Sequence, residues 1–366
     1  MIFYPPKKDY QFKILLCFKD KILYFRIMNL LRKILFPFAL LYGCITAIRN
    51  FFFDKGILKS TSFEIPVIAV GNLSVGGTGK TPQIEYLIRL LSSSYKVATL
   101  SRGYKRKSEG FVLADVSANA ETIGDEPLQY YKKFPQIRVA VDANRTHGIQ
   151  KLLAQMNPPE IILLDDAYQH RNVKADLYIL LTAYNDLYCD DFMLPMGTLR
   201  ESRRGANRAK IVIVTKCPPT LSLEEKNKIK SKLQLKTNQQ LFFTFIHYEE
   251  TVFSATEKIP VSEIQQLDKV LLAGIAKPEP FFKYLKKEHD TLMKFPDHHH
   301  FSDNEIAEIK AKATDKLIIT TEKDYVRIVD QFPKEQLFYL QIQSSFLDNR
   351  TEFDDTILQF VKDFSN

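Results

Sequence analysis

Cysteine is scarce in this chain. The four residues Cys17, Cys44, Cys189 and Cys217 lie far apart, and no two of them form a Cys-x-x-Cys pair. This spacing excludes a disulfide framework and gives no sign of a thiolate zinc site. We therefore expect a protein of a reducing, cytosolic compartment.

Glycine and proline are also few, with 13 and 17 residues among 366, and no repeat period is visible. The chain is therefore neither collagen-like nor a solenoid. With 45% hydrophobic and 26% charged residues, it can bury a sizeable core, and its length favours two domains.

The net charge of +8 is unevenly distributed along the chain. Residues 1–60 hold 11 basic and 3 acidic side chains, so the remainder is neutral overall. This distribution does not favour a nucleic-acid partner. One basic and apolar end on a neutral body indicates attraction to an anionic membrane surface.

The longest apolar run covers residues 34–48, has basic flanks, and is followed by three phenylalanines at 51–53. As a helix it would measure about 22 Å, which is shorter than the hydrocarbon layer of about 30 Å. No small-residue cleavage pattern follows it, so a removed signal peptide is not expected. We predict a helix embedded in, or dipping through, the cytoplasmic leaflet, with a soluble helix buried against the body as the alternative. Residues 1–27 show no clear pattern, and Met28 is an alternative start.

Short apolar runs alternate with helical patterns along the rest of the chain, which predicts an α/β fold with βαβ units and largely parallel sheets. The Pro-Pro pair at 218–219 marks the predicted boundary between a first domain, 57–216, and a second domain, 217–366, behind the N-terminal segment 1–56. The predicted strands cover residues 66–71, 96–100, 138–142, 161–165, 177–181, 211–215, 241–246, 270–275, 317–320 and 337–342.

A phosphate-binding loop follows the first predicted strand, with the sequence GNLSVGGTGKTP at residues 71–82. Its glycines let backbone N–H groups close around phosphate oxygens at the start of a helix, where the potential is positive. Lys80 would reach the terminal phosphates, and the Thr81 hydroxyl would bind Mg²⁺. Ser74 stands where the standard pattern has glycine. The predicted nucleotide-binding residues of the loop are Ser74, Val75, Gly76, Gly77, Thr78, Gly79, Lys80 and Thr81.

An acid at the end of a neighbouring strand usually completes such a site. Asp165 and Asp166 follow the apolar residues 161–164. A carboxylate at a strand end can hold Mg²⁺ directly or through water. Because consecutive residues point to opposite faces, we expect one of the two to lie closer to the metal.

The chain lacks the Asn-Lys-x-Asp motif that reads guanine, since its late strands are followed by VTKCP at 214–218 and TTEKD at 320–324. A P-loop GTPase or an assembly ATPase is therefore disfavoured, and a kinase is preferred. A kinase needs a base near the acceptor hydroxyl. The candidates are Asp125 in a GDEP motif and the three histidines at 298–300, which also permit a zinc site.

Several motifs occur together and in one order. They are VGNLSVGGTGKTP at 70–82, SRGY at 101–104, GDEP at 124–127, Asp142 followed by Arg145, DDAYQH at 165–170, LPMGTLRE at 194–201, FPDHHHF at 295–301 and TEKD at 321–324. This array resembles the tetraacyldisaccharide 4'-kinase family, the membrane-associated lipid A kinases of Gram-negative bacteria. The resemblance covers about residues 28–330, and the serine in the phosphate loop resembles this family's loop.

The resemblance implies transfer of the γ-phosphate of ATP to the 4'-hydroxyl of tetraacyldisaccharide 1-phosphate, which gives the 1,4'-bisphosphate, lipid IVA. It implies two α/β/α sandwiches, a P-loop NTPase-like one followed by a smaller one, and an N-terminal membrane helix. The expected cofactors are ATP and Mg²⁺. The expected partners are the anionic acylated glucosamine disaccharide and the lipid surface at the cytoplasmic face of the inner membrane, with no nucleic acid and no obligate protein partner. A P-loop kinase for another membrane alcohol is the alternative.

The family's motifs also imply roles for particular residues. Asp125 is the expected base and His298 the residue that orients it, which requires the two domains to close over ATP. Glu201 would complete the Mg²⁺ shell, with a structural salt bridge as the alternative. Besides the phosphate loop, the implied nucleotide-binding residues are Gln169, His170, Arg145 and Arg200. The implied catalytic residues are Asp125, His298 and Lys80, and the implied metal ligands are Thr81, Asp165, Asp166 and Glu201.

Overall fold

The structure of the protein, a computed structural model, describes residues 34–364. The alternative start at Met28 lies outside the described residues. The strands are β1 (Val67–Asn72), β2 (Val97–Ser101), β3 (Val112–Leu113), β4 (Arg138–Val141), β5 (Ile161–Asp165), β6 (Leu177–Ala183), β7 (Ile211–Thr215), β8 (Gln240–Phe253), β9 (Lys258–Pro260), β10 (Lys269–Ala273), β11 (Thr291–Lys294), β12 (Leu317–Thr321) and β13 (Leu337–Phe346).

Eleven α-helices are described between residues 34 and 364. They are α1 (Ile34–Asp54), α2 (Lys80–Leu91), α3 (Ala120–Ile123), α4 (Asp125–Lys133), α5 (Arg145–Leu153), α6 (Leu223–Leu233), α7 (Val261–Ile264), α8 (Glu279–Leu285), α9 (Asp303–Ala313), α10 (Glu322–Ile328) and α11 (Arg350–Phe364). Three short 3₁₀ helices cover Tyr188–Asp190, Arg203–Arg208 and Val329–Gln331.

One mixed sheet of 13 strands runs through the described part of the chain. Its order is β11-β10-β12-β13-β8-β7-β6-β1-β5-β2-β4-β3, with β9 paired to β8. The strands β2, β4, β5, β1, β6 and β7 are mutually parallel where they pair. All six lie at predicted positions, because strands buried on both faces appear in the sequence as continuous apolar runs.

Helices cover both faces of the first half of the sheet. Ile68 and Val70 of β1 pack in a core cluster with side chains of α2. Val67 and Ala69 point to the opposite face and pack with side chains of α5. This alternation produces the α/β/α sandwich that was expected around the phosphate loop.

The second half of the sheet is built in the same way. Val270 and Leu272 of β10 pack with side chains of α9 and α10. Leu271 and Ala273 pack with side chains of α7 and α8 on the other face. The fold class predicted from the sequence is therefore confirmed.

The two halves of the sheet meet in β8. Its residues 240–243 pair in parallel with β7, and its residues 244–253 pair antiparallel with β13. The predicted strand at 241–246 was too short, because the apolar run is interrupted by the polar residues HYEE at 247–250. The antiparallel pairing depends on where β13 lies, and the local sequence carries no signal for it.

The C-terminal helix returns to the first half of the fold. Phe353, Ile357 and Val361 of α11 belong to the same core cluster as Ile68 and Ile88. We retain the division into 57–216 and 217–366 as a proposal, in which α11 contributes to the core of the first domain.

The N-terminal helix α1 lies outside these cores. It has 21 described residues with a mean hydropathy of 1.5, so by length and composition it is able to cross a membrane. The predicted helix at 34–48 is present and continues to Asp54. Its large apolar side chains are exposed rather than packed on the body, and they are Ile34, Phe36, Phe38, Leu40, Leu41, Ile45, Ile48, Phe51 and Phe52.

Candidate active site

The phosphate loop joins β1 to α2, as the sequence pattern predicts. Gly76 and Gly79 have φ angles of 122° and 84°, a region that side chains rarely allow. The hydroxyl of Thr215, the last residue of β7, donates a 2.7 Å hydrogen bond to the carbonyl oxygen of Thr78. The loop is therefore anchored to the end of a neighbouring strand, directly before α2 begins at Lys80.

The Lys80 ammonium group lies among acceptors at the carboxyl ends of the strands. Its Nζ is 3.4 Å from Asn72 Oδ1 and 3.5 Å from Asp166 Oδ1. Arg200 Nη1 contacts both carboxylate oxygens of Asp166 at 3.2 Å. Burial acts to raise the pKa of Asp166, but Lys80 and Arg200 hold it below its ordinary value. The structure thus brings together three of the predicted site residues.

Asp165 precedes Asp166 at the end of β5, and its hydrogen-bond partner is a different residue. Its Oδ2 accepts a 3.0 Å hydrogen bond from the Tyr130 hydroxyl, while its buried Oδ1 meets no donor within the described residues. Burial, followed by the neighbouring Asp166 charge, raises the pKa of Asp165 to about 7. The Thr81 hydroxyl interacts with the same Tyr130. Of these oxygens Asp165 Oδ1 is unsatisfied, and a carboxylate oxygen is a ligand that Mg²⁺ prefers.

Glu201 is fully buried, and protein donors occupy both of its oxygens. Arg208 binds them through Nη1 at 2.9 Å and Nη2 at 2.8 Å. Asn50 Nδ2 donates at 2.9 Å and Gln169 Nε2 at 3.0 Å. This geometry favours the salt-bridge alternative for Glu201 over a place in the metal shell. Gln169 also donates to the Asn72 carbonyl oxygen at 2.8 Å, so it links this ion pair to the phosphate loop.

Arg145 is buried and His170 is half-buried, and each has a side-chain nitrogen without a hydrogen-bond partner in the described structure. Arg145 Nη1 donates to the backbone oxygens of Asp142 and Ala143 at 3.1 and 3.2 Å. Its Nε and His170 Nε2 have no partner among residues 34–364. Burial, followed by the charges of Arg145 and Arg102, lowers the pKa of His170 to about 4, so the ring is neutral at pH 7. A neutral imidazole can donate a hydrogen bond from its protonated nitrogen to an anionic oxygen.

Asp125 begins α4 and meets side chains from the C-terminal half of the chain. His298 Nδ1 lies 3.1 Å from Asp125 Oδ2. Arg327 Nε donates to Asp125 Oδ1 at 2.9 Å, and Arg327 Nη2 contacts Oδ2. Burial acts to raise the pKa of Asp125, but hydrogen bonds from Arg327 and His298 hold it well below its ordinary value. The predicted pair of Asp125 and His298 is therefore in contact.

His298 contacts two cations besides Asp125. Lys323 Nζ lies 2.8 Å from His298 Nε2. Arg327 Nη2 lies 3.1 Å from His298 Nδ1, so each ring nitrogen faces a cation that donates hydrogen bonds and does not accept them. The edge of the Tyr104 ring packs against the imidazole at 5.2 Å between centroids. These contacts fix the orientation of His298.

Arg327 is the site residue that the sequence analysis missed. It lies on α10, three residues after Asp324 of the TEKD motif, and its Nη1 is 3.4 Å from Asp324 Oδ1. An arginine one helical turn after a motif acid was the available signal. That signal is weak, because such i,i+3 pairs are common on helix surfaces. The partner Asp125 lies 202 positions away in the sequence.

Phosphoryl transfer requires a bound triphosphate and an acceptor hydroxyl whose proton can be removed. The phosphate loop with Lys80 is the candidate for the first requirement, and the carboxylate of Asp125 is the candidate for the second. Fold and site together define a P-loop phosphotransferase.

Comparison with known proteins specifies the family. The sequence model of tetraacyldisaccharide-1-P 4'-kinase matches residues 31–362. The tetraacyldisaccharide 4'-kinase of Flavobacterium johnsoniae is 66% identical over 336 residues, which are 92% of this chain and 99% of that protein. The enzyme of the same name from Bacteroides thetaiotaomicron is 45% identical over 357 residues, with 91% of this chain and 94% of that protein covered.

A solved structure agrees with this result. A crystal structure of LpxK from Aquifex aeolicus in complex with ATP has a TM-score of 0.75 and 30% sequence identity, and the match covers 90% of this chain and 99% of that one. The chain belongs to the tetraacyldisaccharide 4'-kinase family. The predicted family and the predicted class, an ATP-dependent kinase, are confirmed, and the GTPase and assembly-ATPase alternatives are not favoured.

Proposed function

We propose that this protein transfers the γ-phosphoryl group of ATP to the 4'-hydroxyl of a tetraacyldisaccharide 1-phosphate, which yields the 1,4'-bisphosphate. The observation that carries the assignment of roles is the contact of Asp125 with His298 and Arg327 at the carboxyl-terminal side of the sheet. A carboxylate held by two basic side chains, in a chain of this family that also has a phosphate-binding loop, supports this proposal.

The triphosphate is bound by the loop and its lysine. Backbone N–H groups of residues 75–81 would donate to the phosphate oxygens, and Lys80 would exchange Asp166 for the terminal phosphates. Arg200 already contacts Asp166 and is placed to neutralise phosphate charge when Lys80 moves. Mg²⁺, when bound, supplies further charge neutralisation, and Thr81, Asp165 and Asp166 are the residues that would hold it.

Asp125 acts as the base in the transfer. The 4'-oxygen forms a bond to the γ-phosphorus, the bond from that phosphorus to the β,γ-bridging oxygen breaks, and the proton of the hydroxyl passes to the Asp125 carboxylate. His298 Nδ1 contacts the same carboxylate and so helps to orient it, and Lys323 contacts the other ring nitrogen. ADP and the phosphorylated lipid are the products.

We further propose that α1 holds the protein at the cytoplasmic face of the inner membrane. The polar side of α1 is tied to the site, because the Tyr42 hydroxyl donates to the Arg200 carbonyl oxygen at 2.9 Å and Asn50 donates to Glu201. Its exposed apolar side chains and the basic residues around it would enter an anionic lipid leaflet. An acylated acceptor would then reach the site without leaving the bilayer.

The acceptor assay tests the proposed function. Purified protein in detergent, with ATP, Mg²⁺ and tetraacyldisaccharide 1-phosphate, should convert the lipid to a product with one added phosphoryl group by mass spectrometry. GTP in place of ATP and a polyprenol in place of the disaccharide are the matched controls, and both should give little product. Equal labelling of a polyprenol would favour a kinase for another membrane alcohol.

The apolar face of α1 yields a second prediction. The triple change Phe38→Ser, Leu41→Ser and Ile45→Ser should lower binding to vesicles of anionic phospholipid at least about tenfold, because each apolar side chain contributes about 1.5–3 kcal/mol when buried. Vesicle flotation measures the bound fraction. The control carries Val116→Ser and Met156→Ser, which replace fully exposed apolar residues of the body. Equal flotation of the two variants would contradict the role of α1.

A further inference from the structure

A buried ion triad joins three helices behind the site. Lys133 Nζ lies 2.8 Å from Glu85 Oε2 and 2.9 Å from Glu322 Oε1. The side chains of Glu85, Glu322 and Lys133 are only 1%, 9% and 11% exposed. Two carboxylates removed from water are costly unless a cation pairs with them, so this arrangement depends strongly on the ammonium group.

The two glutamates depend on Lys133 to different degrees. Glu85 also accepts from Gln129 Nε2 at 2.7 Å and from Arg89 Nη2 at 2.9 Å. For Glu322, Lys133 is the one ion-pair partner among the residues that the structure describes. Burial, followed by the Glu85 charge, raises the pKa of Glu322 to about 7. Removal of Lys133 therefore takes away the ion-pair partner of Glu322, whereas Glu85 keeps its contacts with Gln129 and Arg89.

The triad lies on the helices that carry the reacting groups. Glu85 is on α2, which begins with the loop lysine, and Lys133 is the last residue of α4, which begins with the base. Glu322 is the first residue of α10, and the same helix carries Lys323 and Arg327. The ammonium group thus links the start of α10 to the two helices of the first domain.

We infer that Lys133 is a positioning residue for phosphoryl transfer, which keeps α10 in register with α4 so that Arg327 and Lys323 reach Asp125 and His298. This inference rests on the proposed function, in which Asp125 is the base. Without Lys133, the carboxylates of Glu85 and Glu322 face each other without a bridging cation.

Removal of Lys133 should displace α10, and this displacement should lower turnover without weakening nucleotide binding. Repulsion between the two carboxylates moves the start of α10 away from α2, and the ion pair of Lys133 no longer ties it to α4. The contacts of Arg327 with Asp125 then loosen. The phosphate loop has an anchor of its own, since Thr215 binds the Thr78 carbonyl oxygen. The KM for ATP is therefore expected to change little.

The test is Lys133→Met, with kcat, both KM values and the unfolding temperature measured in the acceptor assay. We expect kcat to fall about 10- to 100-fold, the range for a small misplacement of reacting groups, and the KM for ATP to stay within about twofold. Lys133→Arg, which keeps the charge, should stay within about threefold of wild type. The double variant Lys133→Met with Glu322→Gln should recover most of kcat, because the amide can donate to Glu85.

A matched control separates positioning from general destabilisation. Lys269 and Asp290 form another ion pair at 2.9 Å with both side chains fully buried, at the amino-terminal ends of β10 and β11. Lys269→Met removes the same kind of group and should lower the unfolding temperature, while kcat of the folded protein stays near wild type. If Lys133→Met is recovered unfolded, Lys133→Gln replaces it with the same expected result.

The possible outcomes are distinct. Wild-type kcat in folded Lys133→Met, with an unfolding temperature lowered as in Lys269→Met, would overturn the inference. Failure of the double variant to recover kcat would also overturn it. If wild-type protein itself does not phosphorylate the disaccharide, the proposed function fails instead, and the same assay reveals this before any variant is compared.

Discussion

Lys80→Ala should lower kcat by about 10²- to 10³-fold or more, because a preorganised charge on the transferring group is among the largest contributions to catalysis. The loop lysine is the cation that would neutralise the terminal phosphates, and it lies 3.5 Å from Asp166 Oδ1. Its loss should leave the fold intact, because Arg200 continues to pair with Asp166. Steady-state kinetics at saturating ATP measure the loss.

The Lys80 result needs a control for a general effect of removing a positive charge. Lys230→Ala removes an exposed lysine from α6, far from the phosphate loop in the sequence, and should leave kcat unchanged. Circular dichroism should show the same secondary structure for both variants. A Lys80→Ala enzyme that turns over within tenfold of wild type would contradict the assignment of the phosphate site.

Asp125→Asn should lower kcat on the lipid acceptor by about 10²- to 10⁴-fold, the usual contribution of a general base. The amide keeps the size of the side chain but cannot take the hydroxyl proton. Asp115→Asn is the matched control, since it makes the same change at an exposed acid before α4. Near-native kcat in Asp125→Asn would refute the base assignment.

The pH dependence of the same variant follows from the pKa of Asp125. Hydrogen bonds from Arg327 and His298 outweigh burial and hold this pKa well below its ordinary value, so the folded state favours the carboxylate. The resulting stability is present above the unfolded pKa of about 4 and is lost as the pH falls through the folded pKa. Asp125→Asn should therefore destabilise the protein more at pH 7 than at pH 3, as measured by urea unfolding.

The lowered pKa of Asp125 also limits how kcat can depend on pH. Because Asp125 remains ionised throughout the neutral range, a decrease in kcat between pH 8 and pH 6 must arise from another group. The comparison of wild type with Asp125→Asn over this range checks this expectation, since titration of Asp125 itself would show as a limb that the variant lacks.

Much of the fold could be predicted from the sequence, because its signals are local. Buried parallel strands such as β5 and β7 appear as continuous apolar runs, and their predicted bounds match those of the structure. The phosphate loop was predicted because its glycines, Lys80 and Thr81 act through short spacing at a strand-helix junction. The short edge strand β3 was missed, since two residues carry no periodic signal.

The sequence predicted one contact of the site and did not predict another. Asp125 and His298 were paired through motif resemblance, and the structure places them in contact. Glu201 was expected near the metal, yet its carboxylate binds Arg208 and donors from α1 and the DDAYQH loop. Nothing in the sequence around Glu201 indicates which of several neighbouring arginines would be its partner.

The α/β class, the phosphate loop, the strand-terminal acids and the family of this protein were all predictable before folding is considered, because each depends on residue types at defined spacing. The ion pair of Arg327 with Asp125, the partners of Glu201 and the triad around Lys133 became evident from the folded chain alone. Those contacts join residues far apart in the chain. Their distances follow from how the helices pack on the sheet, which local spacing does not specify.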